Sequence, residues 1–223
     1  MNILNLADTH NLHHELNLDL SNIDMIIHAG DFTRSKSPAF NSPEAENFLQ
    51  WFSSLPVKYK VLVPGNHDTS LAAKYFRKEV IKKDFGIDIL IHESIVIEGI
   101  KIFGSPYTPT FGTGWAYNVA RHKLQPYWDC IDLDTDILVT HGPPYNTLDA
   151  AESGKDFIKV GDKTLMNRVH ELNILYHIFG HIHEDAGKTL KLHNLDTIFI
   201  NASVVNLAYK MINPKGLKIT LTK

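Results

Sequence analysis

Short apolar runs alternate with helical patterns along this chain. The runs fall at residues 3–6, 23–27, 61–63, 87–91, 137–139, 174–179 and 198–200. Their length suits strands better than helices. Two further runs, 95–97 and 100–103, flank Glu98-Gly99 and predict a tight hairpin. Leu217, Ile219 and Leu221 alternate with polar residues and predict a closing antiparallel strand. Between these runs apolar residues recur at helical spacing. Ser42-Pro43-Glu44 reads as an N-cap with proline at the first helical position, ahead of Ala45, Phe48, Leu49 and Phe52. Thr69 or Ser70 caps a second helix with Ala72, Phe76 and Val80 on one face. Asp162 caps a third, with Leu165, Val169 and Leu172 turned inward. These stripes are read as core. Residues 104–128, rich in glycine, proline and aromatics, predict a long loop.

Alternation of strand and helix together with a hairpin predicts one α/β domain over residues 1–223, with a mixed sheet. A chain of 223 residues that is 43% hydrophobic can bury such a core. The formal net charge is -3 and no basic stripe is present, which argues against long nucleic acid as a partner. One cysteine, Cys130, permits no intrachain disulfide and fits a reducing compartment. The first eight residues carry no charged region or long apolar region, so no signal peptide is expected. No apolar stretch reaches the ~18 residues of a membrane span. A soluble, cytoplasmic protein without membrane partners is expected, its oligomeric state left open.

The polar residues that follow the strands change the picture. Asp8-Thr9-His10 follows the first run and His28-Ala29-Gly30-Asp31 the second. Gly65-Asn66-His67-Asp68 follows the third, Thr140-His141-Gly142 the run at 137–139, and Gly180-His181-Ile182-His183 the run at 174–179. In α/β sheets the carboxyl ends of strands converge on the ligand crevice. Aspartate oxygen, histidine nitrogen and an asparagine carbonyl are ligands for divalent manganese, iron or zinc. One donor each from Asp8, His10, Asp31, Asn66, His141, His181 and His183 exceeds what a single ion with an open position accepts. It suits two ions ~3.5–4 Å apart that share a carboxylate. In Asp8-x-His10 and His181-x-His183 the two side chains of a pair fall on one side of an extended chain, so each strand end can feed one site. His13, His14, His92, His122, His170, His177 and His193 belong to no such block and are read as surface or satisfied core histidines. His28 is read either as core or as a support for a ligand.

These blocks resemble the five blocks of the calcineurin-like metallophosphoesterases, with every ligand position filled. Ile-His-Ala-Gly-Asp-Phe-Thr at 27–33, Gly-Ser-Pro-Tyr-Thr-Pro at 104–109, Thr-His-Gly-Pro-Pro at 140–144 and Asn-Ala-Ser at 201–203 are similar to the metallophosphoesterase-domain-containing branch. Ala7 stands where relatives often have serine. The resemblance implies two mixed β-sheets sandwiched between helices. It implies a first ion on Asp8, His10, Asp31 and His183, and a second on Asp31, Asn66, His141 and His181, with Asp31 bridging. Manganese is the expected ion, with iron, zinc or magnesium as alternatives.

The expected activity is hydrolysis of phosphate esters. The ions would neutralise phosphate charge and generate hydroxide from a bridging water near neutral pH. His67, beside the ligand Asn66, is the expected general acid for the leaving oxygen. Asp68 is considered as its orienting partner and Arg34 as a phosphate contact. Tyr107, Phe111, Trp115 and Tyr117 crowd the loop after residue 104. Tyr107 and Trp115, with Asn66 and His67, are the expected substrate contacts, since aromatics beside a phosphate site can stack a nucleobase. A small or nucleotide phosphodiester is the expected substrate. A phosphomonoester, or a non-catalytic binding scaffold of the same fold, are the alternatives.

Overall fold

The computed structural model describes residues 1–221. β1 (Asn2–Leu6) and β2 (Met25–His28) pair in parallel. α1 (Pro38–Ser54) crosses to β3 (Tyr59–Leu62), and α2 (Thr69–Ala72) and α3 (Lys78–Phe85) lead to β4 (Asp88–Ile89). The hairpin of β5 (Glu93–Ile97) and β6 (Ile100–Ser105) begins a second sheet. A short parallel ribbon of β7 (Thr108–Pro109) and β8 (Asn118–Val119), then α4 (Gln125–Asp129), precede β9 (Ile137–Thr140). The hairpin of β10 (Ala150–Ser153) and β11 (Asp156–Lys159) stands before α5 (Lys163–Glu171) and β12 (Tyr176–Phe179). β13 (Thr189–Lys191) and β14 (Ile198–Asn201) follow, and β15 (Leu217–Thr220) returns to pair antiparallel with β1.

The strand orders are β15-β1-β2-β3-β4 and β13-β14-β12-β9-β6-β5. Both sheets are parallel at the centre and carry antiparallel strands at an edge, β15 in the first and β13 and β5 in the second. The side-chain period of two explains why the central strands read as continuous apolar runs. Ile3, Met25, Ile27, Val61 and Val63 face inward and meet Ile102, Ile137, Val139, Ile178 and Ile200 of the second sheet. Leu4, Leu6, Ile26 and Leu62, one residue out of phase, face outward onto Phe48, Leu49 and Phe52 of α1 and Ile81 of α3. Phe103, Leu138, Phe179 and Phe199 face outward from the second sheet onto Trp128 of α4 and Leu165 and Val169 of α5. Two mixed sheets between helices is therefore the architecture, as the family resemblance implies. No helix among the described residues is long and apolar enough to cross a membrane.

Three local expectations are corrected. α1 starts at Pro38, not at Pro43, which lies inside it. Ser37-Pro38 carries the same cap-and-proline signature about a turn and a half earlier. Asn41, buried in that added turn, holds it by donating to Thr33 Oγ1, Ser35 O and His67 O while accepting from Ser70. The second helix is broken in two, because Lys74 adopts φ 60° and ends the first piece; Ile81 rather than Val80 is buried. The long loop holds β7, β8 and α4, and Trp128 anchors it by donating from Nε1 to Asp162 Oδ1 at 3.0 Å. Asp162 caps α5 as expected, accepting from Leu165 N.

Candidate metal centre

The carboxyl ends of β1, β2, β3, β9 and β12 deliver Asp8 and His10, Asp31, Asn66, His141, and His181 and His183 to one place. Turning sharply off a strand end requires unusual backbone. Asp8, His10, Asp31 and His181 have φ of 55°, 41°, 56° and 70°. Such left-handed residues cost about 1–3 kcal/mol each and persist only where surroundings fix them. The fixing bonds are present: Asp8 N donates to Gly30 O at 2.8 Å and His10 N to Asp31 O at 3.1 Å. The turns also pack too closely for any side chain at two glycines. A Cβ on Gly65 would collide with Asp31 Oδ1, and one on Gly180 with Asp8 Oδ2.

A buried carboxylate, Asp68, knits the turn after β2 to its own turn after β3. Its oxygens accept from Gly65 N at 2.7 Å, Asp31 N at 2.9 Å, Thr33 N at 3.1 Å and Thr33 Oγ1 at 2.7 Å. It is thus fully engaged with these partners and does not orient the His67 ring. Burial, then the like charge of Asp31, pushes its pKa up to about 7.

The donor atoms are left facing one another. His10 Nδ1 donates to Thr33 O at 3.0 Å, so its neutral ring presents a bare Nε2 to the centre. His141 Nδ1 donates to Ala29 O at 2.9 Å, which leaves its Nε2 2.9 Å from Asn66 Oδ1 and 3.3 Å from Asp31 Oδ2. His10 Nε2 and His183 Nε2 are 3.4 Å apart. Asp8 Oδ2 accepts from His181 N at 2.9 Å and from Ser203 Oγ, but the buried Oδ1 has no partner. Nitrogen and oxygen donors crowded together, with one buried carboxylate oxygen bare, suit a shared cation, whether protons on the rings or a bound metal. Asp8, His10 and His183 form one candidate metal group, and Asp31, His141 and His181 another; His10, Asp31 and His67 form a third. Each keeps its ligand atoms within 4.8 Å of one another. The residues therefore fit divalent ions bound by nitrogen and oxygen.

The electrostatics agree with that fit. Burial holds His181 down to about 3 and His10 down to about 4, so both rings are neutral, the form that ligates. Burial also works against a charged His141, but the Asp31 carboxylate outweighs it and pushes the ring up to about 9. Burial would raise Asp8 and Asp31; the neighbouring histidines outweigh it and hold both below the usual carboxylate range. His141 and Asp31 thus hold opposite charges in a buried pocket, where a bound cation would take the place of the histidine's proton.

The model of the family described as calcineurin-like phosphoesterase matches residues 1–185. The chain belongs to the calcineurin-like phosphoesterase family. Metallophosphoesterase domain-containing protein 1 of Homo sapiens is 32% identical over 233 residues, covering 94% of this chain and 68% of that protein. The Mus musculus protein of the same name matches with the same identity and coverage. TT1561 of Thermus thermophilus, at 15% identity, superposes with a TM-score of 0.62 over 91% of this chain and 88% of its own, and shares the fold. Membership supports a metal-dependent hydrolase of phosphoesters.

Around the candidate metal cluster of this family member, the remaining predicted residues separate. His67 lies within it: Nδ1 donates to Arg34 O at 3.0 Å, and Nε2 is 3.9 Å from Asp31 Oδ2. Trp115 packs on the His67 ring at 4.5 Å, and Phe111 bridges Trp115 and His181 at 6.0 and 5.0 Å. Tyr107 is elsewhere, against His92, Tyr117 and Tyr127. His28 supports the turn: its Nδ1 accepts from Gly30 N and its Nε2 donates to Thr9 Oγ1. Sequence reasoning passed over Tyr209, whose ring stands 4.8 Å from that of His10 and 5.6 Å from that of His183. The Arg34 guanidinium lies over the Tyr209 ring, 4.8 Å from its centroid. No period or motif around residue 209 marks it; only the fold brings it to the centre. Ser203, which bonds Asp8, did sit inside the Asn-Ala-Ser signal.

Proposed function

We propose that the chain is a binuclear phosphodiesterase of small, nucleotide-like esters. The observation that carries this reading is the position of Asp31. Its Oδ2 stands 3.3 Å from His141 Nε2, 3.9 Å from His67 Nε2 and 4.0 Å from His10 Nε2, so it faces both ligand groups. Asp8, His10, Asp31 and His183 would hold one ion, and Asp31, Asn66, His141 and His181 the other, with Asp31 shared. Divalent ions, manganese in this reading, would supply charge neutralisation at the phosphate and acidify water.

The chain's own residues do the rest. Thr33 O and Ala29 O lock His10 and His141 as rings that present Nε2. Arg34 O anchors His67 by Nδ1, so a protonated ring aims its Nε2–H into the centre. That proton goes to the leaving oxygen as its bond to phosphorus breaks. Trp115 and Phe111 give one side of the mouth a flat apolar wall, suited to a base. Tyr209 closes the other side. An exposed Arg34 with no ion pair among the described residues favours a second reading, a phosphomonoesterase, because a terminal phosphate carries the extra charge an arginine recognises.

The deciding experiment loads the purified protein with manganese. It compares bis-p-nitrophenyl phosphate and cyclic nucleotides with p-nitrophenyl phosphate and nucleoside monophosphates. Diesters turn over with the higher kcat/KM in the proposed function. Far better cleavage of monoesters replaces it with a phosphatase, and no turnover of any ester by fully loaded protein leaves a binding scaffold.

A further inference from the structure

Phe111 divides two spaces beside the centre. On one side lies Trp115. On the other is a cavity of about 210 Å³ walled by Pro109, Phe111, Pro143, Val160 and Ile182, with His181 on its boundary. His181 is thus shared by the ligand cluster and the cavity, and Gly142, next to His141, lines it as well. A group attached to a phosphate at the centre on the His181 side would reach the cavity past that ring.

The chemistry of the walls selects what fits. Arg121 is the one charged residue lining the cavity, and its guanidinium is already engaged: Nη1 donates to Gly161 O at 2.9 Å and Nη2 to Val160 O at 2.5 Å. The other walls offer hydrocarbon, aromatic ring and proline. Water in such a space finds few partners and is readily displaced by an apolar group. The outer wall is the β10–β11 hairpin, which contributes Ala151. Its strands expose most of their side chains, yet it is pinned at the cavity edge. Glu152 N donates to Glu184 Oε1 at 2.7 Å, and Val160 N donates to Asp149 O at 3.0 Å.

We infer that this cavity is a subsite for an uncharged, apolar ester arm, so that the substrate is an open phosphodiester with unlike arms. One arm lies against Trp115 and the other fills the space behind Phe111. This inference rests on the proposed function and narrows it: a cyclic nucleotide, or a monoester whose one arm is a base lying against Trp115, leaves the cavity empty.

The test uses non-hydrolysable anions, so that it does not depend on turnover. Methyl-, ethyl- and propylphosphonate are titrated calorimetrically into manganese-loaded protein, wild type, Val160→Trp and Ala151→Leu. Affinity in the wild type rises about fourfold for each added methylene, the usual return on burying one. In Val160→Trp the rise disappears, and in the milder Ala151→Leu it shrinks. No rise in the wild type, or a rise undiminished in both variants, overturns the subsite. If that happens while esters are still hydrolysed, the proposed function stands and only the subsite falls. If no phosphonate binds and no ester is cleaved, both fall together.

Discussion

Asp8 Oδ1 and His183 Nε2 face each other across 3.6 Å inside the protein, and the aspartate oxygen has no hydrogen-bond partner among the described residues. Its sister oxygen is occupied by Ser203 and the His181 amide, so the bare atom cannot turn away. An unpaired buried carboxylate oxygen is costly. Keeping it bare makes sense where a cation completes it, and His10 Nε2, 4.0 Å away, points at the same spot.

The first prediction follows from which groups share a ligand. Asp31→Asn removes the one carboxylate that faces both groups, so loading at both positions weakens. His183→Ala touches only the group of Asp8 and His10, and mainly one ion is lost. Elemental analysis after dialysis reads the metal content per chain. Two retained ions in the Asp31→Asn protein would sink the assignment.

A second prediction concerns His67. His67→Ala keeps its metals and loses roughly 10²–10⁴-fold in kcat, the usual size of an acid–base contribution. The loss shrinks for p-nitrophenyl esters, because that leaving group needs little help from a proton. Kinetics on matched alkyl and p-nitrophenyl diesters measure the contrast. Equal losses on both would instead make His67 a ligand, consistent with its place beside His10 and Asp31.

The strands and the gathering of the candidate ligands at one place were legible because two simple rules coincide here. Strands covered on both faces read as solid apolar runs, and polar residues that follow each run are carried to the same sheet edge. What lay beyond those rules was hidden. Tyr209 and Asn41 reach the site through the fold alone, since no motif marks either residue. The four aromatics after residue 104 looked like one wall. The chain turns at Tyr117, with φ 55°, and Tyr107 and Tyr117 pack together while Phe111 and Trp115 face the centre. The start of α1 was misplaced because Ser37-Pro38 and Ser42-Pro43 carry one signal twice, and the partners of Asn41 decide between them.

A third prediction is an acid-side loss of stability from His177. This ring is fully buried between Phe179 and Phe199 and donates from Nε2 to Thr140 Oγ1 at 2.8 Å. Burial lowers its pKa from 6.5 to about 3. A depressed folded value means the contribution is complete above 6.5 and is lost as pH falls from there toward 3. At pH 5 the loss is about 2 kcal/mol. Urea unfolding at pH 7 and pH 5 measures it, and in His177→Gln the drop between the two pH values is smaller by about that amount. Parallel drops in both proteins would show that other groups carry the acid sensitivity.

The last prediction tests what Trp115 is for. Its ring packs on His67 at 4.5 Å, and the Lys36 ammonium lies 4.2 Å from its centroid. If the indole merely wedged His67 in place, Trp115→Ala would lower kcat for every substrate alike. A stacking wall behaves differently: a base laid on the indole contributes ~1–3 kcal/mol to binding, whatever its identity. Removing the ring then raises the KM of a nucleotide diester by roughly 5–150-fold, with kcat much less affected. The matched measurement is bis-p-nitrophenyl phosphate, whose small ring gains less from the wall and whose KM moves less. Trp115→Phe, which keeps an aromatic face, recovers much of the nucleotide affinity. A uniform fall in kcat on both substrates, with both KM values unmoved, assigns Trp115 to positioning His67 and removes the base from the proposed substrate.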